Sequence, residues 1–195
     1  MTVKQFFKSE TFKCLVVLLC IALVSGGLLS ILNDVLYITD EERTMRAIQS
    51  IYGKEMQYEE KTPSETYEVT DVGYIENVYL LSDGNYLIKA TGLHWYKDGT
   101  VTTWAVAVFE NNTFKGLSTV SVADYDKQTL MGNFKDSFYN VYSSNNDLIV
   151  SSDTVFSIKE DASSIKNVLA GASKSSNAIN NAVNATLSFI RSTLV

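Results

Sequence analysis

The feature that most constrains this chain is an uncharged apolar run near its N-terminus. The run CLVVLLCIALVSGGLLSIL, from Cys14 to Leu32, contains no charged residue. As an α-helix it would be about 28 Å long, which is close to the hydrocarbon thickness of a bilayer. The preceding lysines also fit a secretory signal peptide, but the run is longer than the usual apolar region of one and no A-x-A cleavage site follows. We therefore predict an uncleaved transmembrane helix over residues 14–32.

The charges on either side of this run predict its orientation. Three lysines and one acid precede it, whereas four acids and a single arginine follow it up to residue 43. Because basic residues stay on the cytoplasmic side, residues 1–13 are expected in the cytoplasm and the main domain outside it, extracellular or periplasmic. The predicted location is the cell membrane, with a single pass. Gly26 and Gly27 give the span a small-residue surface, which suits either packing against another helix or a lone span that tolerates glycine.

Composition excludes several classes of protein. An apolar content of 46% argues against disorder, and a net charge of −6 argues against a nucleic-acid partner. The single histidine, His94, and the two cysteines, Cys14 and Cys20, leave few ligands for a zinc or iron–sulfur site. A G-x-S-x-G nucleophile motif is missing from the sequence. We therefore predict no metal site and no independent catalytic site.

The residues after the span predict an α+β domain with an antiparallel sheet and flanking helices. Residues 33–71 are expected to form a membrane-proximal helix, capped by Thr39 and ended by Gly53, followed by a linker that contains Pro63. Residues 72–195 form the predicted domain, because alternating segments separated by turn residues begin at Val72. The predicted strands are Tyr74–Leu81, Tyr86–Tyr96, Val101–Phe109 (central), Phe114–Val122 and Leu148–Ile158, with a turn and short helix over 124–142 and a polar loop over 143–146.

The C-terminal segment differs chemically from the rest of the chain. It has no acidic residue after Asp161, and it carries a helical stripe of Ile179, Val183, Leu187 and Ile190. We expect Ser175 or Ser176 to cap this helix. The small residues just before it, 170–173, would let backbone approach a phosphate at the helix N-terminus, where Lys174 adds a cation. Ordinary loop chemistry remains the alternative.

Residues 167–179, NVLAGASKSSNAI, resemble the flavin-attachment motif D-x-x-S-G-A-T-x-T-S-x-A-V of the FMN-binding domain family. That domain occurs in the G subunit of Rnf-type ion-translocating oxidoreductases and in the C subunit of sodium-pumping NADH:quinone reductases. The order of a single span, a membrane-proximal helix, an exported α+β domain and a motif near the C-terminus is also similar. A second family patch, E-T-P-G-L-G, is matched in part by residues 128–132, QTLMG, in which Thr129 and Gly132 are retained.

The resemblance implies a redox subunit of an ion-translocating oxidoreductase that moves Na⁺ or H⁺. In the family, the threonine that ends the S-G-A-T part of the motif carries FMN through a phosphoester made by a flavin transferase, and the matching position here is Ser173. Other membrane subunits of an Rnf-type complex would be its partners. The cofactor-binding residues implied are Ser173, Gly171, Ala172, Lys174, Ser175, Ser176, Thr129 and Gly132.

Three of this sequence's departures from the motif bear on flavin attachment. Asn167 stands where the family has aspartate, Ala170 where it has serine, and Ser173 where it has the acceptor threonine. Serine keeps the hydroxyl that a phosphoester needs, whereas loss of the acid weakens recognition by the transferase. The alternative function is therefore a cofactor-free, membrane-anchored assembly or binding subunit that retains the fold. Trp95, Trp104 and the tyrosines could flank a flavin ring, but we expect most of them in the core or rim of the sheet, and His94 in a strand.

Overall fold

A computed structural model describes residues 10–93 and 96–195 of this chain and divides it into two compact units. The first unit extends to Thr44 and the second comprises Met45–Val195. His94 and Trp95 lie outside the described residues, so the expectations for these two side chains stay predictions.

The first unit is dominated by one long apolar helix, α1 (Glu10–Leu36). Its segment Phe12–Asn33 has a mean hydropathy of 2.8 and is long and apolar enough to cross a membrane. The predicted span, residues 14–32, lies inside this segment. Cys14 and Cys20 are exposed on this helix and are not joined in a disulfide.

Helix α2 (Asp40–Tyr52) follows after three residues, and the sequence predicts both of its ends correctly. The Thr39 hydroxyl accepts a hydrogen bond from the Glu42 N–H at 3.2 Å, which is the capping interaction expected from the Thr–Glu spacing. Gly53 ends the helix with a left-handed φ of 69°, a conformation that glycine adopts without steric cost.

The described residues of the second unit are built around a six-stranded antiparallel sheet in the order β1-β3-β4-β5-β6, with β2 paired to the same edge of β3 as β1. The sequence predicts its four long strands correctly to within a few residues, except that the second ends four residues early. The strand predicted to be central, β5, lies between β4 and β6 and is buried from residue 101 to 107. The strands are β1 (Tyr58–Glu60), β2 (Glu68–Val69), β3 (Gly73–Leu81), β4 (Tyr86–Gly92), β5 (Val101–Glu110) and β6 (Thr113–Tyr125).

Strands β1 and β2 correct the reading of the linker as unstructured. Tyr58 pairs with Leu81, and Glu68 pairs with Tyr74, so this polar segment runs along the edge of β3. The two strands have three and two residues, which is too short for alternation to be read from sequence. Backbone pairing holds them in place, together with Tyr58 and Val69, which pack against the core.

The two faces of the sheet are covered by different helices. One face packs against the C-terminal helix α5 (Ser173–Phe189) and helix α3 (Asp136–Ser144), which together form the larger core. The other face packs against the last two turns of α2, where Ile48 is fully buried. Trp104 lies in this second cluster with 8% of its surface exposed, as expected for a core tryptophan.

The region after α3 corrects two further expectations. Residues 143–146 are mostly helical rather than a loop, and residues 146–151 form a short helix, α4 (Asn146–Ser151), rather than the start of a strand. Leu148, Ile149 and Val150 are exposed, buried and exposed in turn, so the burial pattern of this helix imitates that of a strand. The strand itself is short, β7 (Val155–Ser157), and pairs in parallel with β8 (Ser164–Lys166).

Helix α4 also positions one side chain at the outer strand of the sheet. The Asn146 amide accepts a hydrogen bond from Leu117 N–H at 2.9 Å and donates one to Leu117 C=O at 3.1 Å. Gly116, with φ of 117°, makes room for this side chain, because a Cβ there would lie 2.2 Å from the Asn146 amide carbon. The amide therefore occupies the hydrogen-bonding positions that a neighbouring strand would take.

A polar cluster on the face of the sheet opposite α5 is centred on Glu76, which lies at the bulge of β3. Its carboxylate pairs with Lys89 Nζ at 2.7 Å and accepts hydrogen bonds from the hydroxyls of Thr91 at 2.6 Å and Thr102 at 3.3 Å. Burial alone would raise the pKa of Glu76, but these donors outweigh it and hold the pKa below its ordinary value.

We expect Glu76→Gln to lower the free energy of unfolding at neutral pH by about 1–2 kcal/mol, because it removes a half-buried charged acceptor. Since the folded-state pKa is lowered, this contribution is complete above the unfolded-state pKa and is lost as the pH falls through the folded-state pKa. Urea titrations at several pH values measure it. Glu59→Gln, at a mostly exposed carboxylate paired with Lys61, is the matched control and should change little. A pH-independent deficit in Glu76→Gln would contradict the expectation.

Candidate functional site

The first turn of α5 carries the residues of the resembling motif. Gly171, with φ of 81°, turns the chain into the helix, and Ser173 is the first helical residue. The N-cap position is Ala172, which makes no side-chain capping bond, so the expectation that Ser175 or Ser176 caps the helix is wrong. Both serine hydroxyls instead have partners outside the capping position.

Those partners distinguish the three serines. The Ser176 hydroxyl donates to Ala172 C=O at 2.9 Å and accepts from Leu169 N–H at 2.9 Å. The Ser175 hydroxyl donates to Gln128 Oε1 at 2.9 Å. Both side chains are buried, whereas Ser173 is exposed. Ser173 is therefore the serine of this turn whose hydroxyl is accessible to a reagent.

The open end of α5 is suited to an anion. The first N–H group of the helix with a backbone partner belongs to Ser176, which bonds Ala172 C=O at 2.9 Å. Among the described residues, the N–H groups of the three preceding positions, 173–175, have no backbone acceptor. These groups and the helix dipole favour negative charge. The side chain of Lys174 is exposed beside them and is in none of the ion pairs of the described residues.

The same turn forms one wall of a cavity of about 280 Å³. The opposite wall comes from the loops that follow β4 and β6. The structure thereby brings together six residues implied by the resemblance, although they belong to two segments about forty positions apart. The lining residues are Tyr96, Thr129, Leu130, Gly171, Ala172, Ser173, Lys174 and Ser175.

Two implied residues do not line this cavity. Ser176 is fully buried beneath the turn, and Gly132 is exposed in a single 3₁₀ turn. The carbonyl of Gly132 accepts a hydrogen bond from Lys135 Nζ at 3.2 Å. A Cβ at Gly132 would meet no neighbour within 4 Å, so close packing does not require glycine there.

Two lining residues, Tyr96 and Leu130, were not expected in the site. Tyr96 was assigned to the end of a strand, but β4 ends at Gly92 and the following loop brings the half-buried tyrosine to the cavity. Leu130, in the loop after β6, is 38% exposed. An aromatic residue next to a Lys-Asp-Gly turn was the available signal for Tyr96, whereas nothing local marked Leu130.

The donor set fits the phosphate end of a flavin nucleotide. A carboxylate is missing from the described lining of the cavity, while an exposed hydroxyl, a helix N-terminus and a lysine converge there. Tyr96 and Leu130 offer an aromatic and an aliphatic surface to a planar ring. A metal site finds no such support, since the described residues contain no cluster of three or more histidine, cysteine or carboxylate side chains.

The altered motif position Asn167 is part of the core beneath the site. Asn167 is 4% exposed, and its side-chain amide donates a hydrogen bond to Phe138 C=O at 3.3 Å. The backbone carbonyl of Asn167 accepts a hydrogen bond from the side-chain amide of Asn180 at 2.8 Å. Asn180 in turn accepts from the Tyr142 hydroxyl at 2.8 Å. Burial raises the pKa of Tyr142 well above its ordinary value, so this hydroxyl is a permanent donor. The amide at 167 suits a carbonyl partner, to which an ionised aspartate could not donate.

Comparison of the chain with known protein families, with curated proteins and with solved structures finds no match.

Proposed function

We propose that this protein is a membrane-anchored electron-transfer subunit that carries FMN covalently on Ser173, within an ion-translocating oxidoreductase of Rnf type. The observation that carries the proposal is the exposed Ser173 hydroxyl at the open end of α5, in a cavity that it shares with Thr129 and Lys174. The motif resemblance is the reason for naming FMN as the cofactor, and the chemistry of the lining residues is compatible with FMN.

Four of the lining residues have distinct parts in this proposal. Ser173 Oγ would attack the FMN phosphorus of a flavin dinucleotide held by the transferase, so that the pyrophosphate bond breaks, a nucleoside monophosphate leaves and the hydroxyl proton is released. The N–H groups at the start of α5 together with Lys174 would balance the remaining phosphate charge. Tyr96 and Leu130 would offer apolar surface to the bound flavin. When bound, FMN supplies the electron-accepting and electron-donating chemistry. Covalent attachment keeps it at high effective concentration outside the cytoplasm.

Helix α1 would anchor this domain, with residues 1–13 in the cytoplasm and the cavity on the other side of the membrane. The supporting observation is the lysine excess before the apolar segment. We expect alkaline phosphatase fused after Val195 to be active and a cytoplasmic reporter at the same position to be inactive. A fusion that is active only as the cytoplasmic reporter would contradict this topology.

The decisive experiment is the intact mass of the full-length chain, purified from cells that contain a flavin transferase. We expect the mass of one FMN ester and flavin fluorescence that stays with the protein in a denaturing gel. Chains from cells without the transferase are the control. A wild-type chain without the adduct in both backgrounds would contradict the proposal.

The second candidate is the cofactor-free assembly or binding subunit. It is favoured by one observation, the replacement of the motif's aspartate by Asn167 and its incorporation in a buried hydrogen-bond network. Absence of the adduct in the experiment above would select this alternative.

A further inference from the structure

Gln128 joins the two main walls of the cavity without lining it. Its side chain is 5% exposed, and its amide nitrogen donates to Asp126 C=O at 3.1 Å. Its Oε1 accepts the hydrogen bond from Ser175, which is equally buried, at 2.9 Å. The Thr129–Leu130 wall, which follows Gln128 directly, is thereby bonded to the helix turn that presents Ser173.

The loop after β4, which contributes Tyr96 to the opposite wall, packs against the same side chain. Gly99, in the loop after β4, approaches so closely that a Cβ there would lie 2.3 Å from Asp126 O and 2.8 Å from Gln128 Nε2. The Gly99 N–H bonds Tyr96 C=O at 2.9 Å, which ties this contact to the aromatic wall. All three segments that line the cavity therefore meet at one buried amide.

An amide meets the needs of this position and an ionised carboxylate does not. The side chain must accept from a hydroxyl and also donate to a carbonyl, and among side chains of the length and shape of glutamine an amide or a protonated acid can do both. A carboxylate would place an oxygen against Asp126 C=O and leave both acceptors without a proton between them. In the resembling family patch this position is glutamate, whereas in this chain it is glutamine.

We propose that Gln128 is a positioning residue, whose neutral amide holds the Thr129–Leu130 wall against the first turn of α5 so that Ser173 is presented for modification. The attachment part of this inference rests on the proposed function, whereas the holding of the wall does not. Gln128 acts through Ser175 and Asp126, and it does not touch the accessible hydroxyl itself.

The test replaces Gln128 by glutamate, an isosteric residue whose donor capacity depends on pH. When protonated, glutamate can accept from Ser175 and donate to Asp126 C=O, as glutamine does. Burial raises the pKa of such a carboxyl, so that protonation of the introduced glutamate can be followed in ordinary buffers. The other charged groups on the three segments are Lys97, Asp98, Asp126, Lys127 and Lys174, and Asp126 pairs with Lys127 at 3.6 Å.

Two measurements are made on the full-length chain in nanodiscs, each relative to wild type at the same pH. The rate of backbone hydrogen exchange in peptides covering residues 126–132 and 171–178 reports how often these two wall segments open, and it needs no flavin. The initial rate of FMN attachment by a purified flavin transferase reports the presentation of Ser173. Gln128→Ala removes the hydrogen bonds to Ser175 and to Asp126 C=O, whereas Ser175→Ala removes only the first. Gln57→Glu, at an exposed glutamine of the same domain, is the matched control.

We expect Gln128→Glu to exchange faster in both peptides and to accept FMN about tenfold more slowly at alkaline pH, since one buried hydrogen bond is lost. Both defects should recover to within about twofold of wild type at acidic pH, whereas Gln128→Ala should stay defective throughout. Exchange in peptides from β4 and β5 should stay at the wild-type level, which separates this role from global destabilisation.

Wild-type behaviour of Gln128→Glu at both pH values, or unchanged exchange in Gln128→Ala, would overturn the inference. A wild-type chain that takes up no FMN would contradict the proposed function alone, because the exchange measurements would still decide the role of Gln128.

Discussion

Ser173→Ala is expected to abolish the FMN adduct, and Ser173→Thr to retain it. The neighbouring serines cannot substitute, because the Ser175 and Ser176 hydroxyls are buried and hydrogen-bonded, and esterification of either would require the first turn of α5 to unfold. Ser173 itself is exposed at a helix end, so alanine there should change the free energy of unfolding by no more than about 0.5 kcal/mol. Loss of the FMN adduct in Ser173→Ala would therefore reflect the missing acceptor hydroxyl rather than misfolding.

The measurement is intact mass, with peptide mapping of residues 167–179 to locate the group. Thr113→Ala is the matched control, because Thr113 is an exposed hydroxyl at the start of β6 that does not line the cavity, and this variant should keep the adduct. Full labelling of Ser173→Ala would move the attachment elsewhere and contradict the assignment, as would loss of label in Thr113→Ala alone.

Gly92→Ala is expected to destabilise the domain by about 3 kcal/mol, which corresponds to a fall in melting temperature of about 6–12 °C. A Cβ on Gly92 would lie 2.0 Å from Ala178 O and 2.6 Å from Ala182 N. Both atoms belong to the backbone of α5, so no side-chain rotation relieves the clash. The helix and strand β4 would have to separate, which opens the larger core along the fully buried residues of α5.

Thermal unfolding followed by circular dichroism measures this effect. Gly132→Ala is the control, because a Cβ there meets open space and the change should stay within about 0.5 kcal/mol. Failure of Gly92→Ala to accumulate as folded protein would be the stronger form of the same result. An unchanged melting temperature would contradict the packing of α5 on β4.

The long elements could be predicted from the sequence because their signals are local. Alternation with turn residues marks β3 to β6, and the stripe of Ile179, Val183 and Leu187 marks α5, all of which are buried as expected. The sequence did not predict β1, β2 and α4, because these elements depend on partners distant in sequence. The two strands pair with the edge of β3, and α4 bonds the backbone of Leu117. Their short sequences contain no period that could be counted.

The same distinction between local and long-range signals applies to the residues of the candidate site. Residues 171–175 are contiguous, so their shared position could be predicted, and Thr129 joined them through the resemblance of a second patch. Tyr96 and Leu130 could not be placed, because their presence in the cavity depends on where β4 and β6 end. The capping error at Ser175 has a similar origin: its hydroxyl bonds Gln128, 47 positions away in sequence.

The amide of Asn146 has a consequence for how the domain behaves among other chains. Strand β6 is the last strand on its side of the described sheet, and an outermost strand of 13 residues is a template on which a second molecule can add a strand. Because Asn146 occupies both backbone groups of Leu117, an incoming strand would have to displace α4 before it could pair there. At this point of the edge, a neutral side chain therefore blocks the addition of another strand.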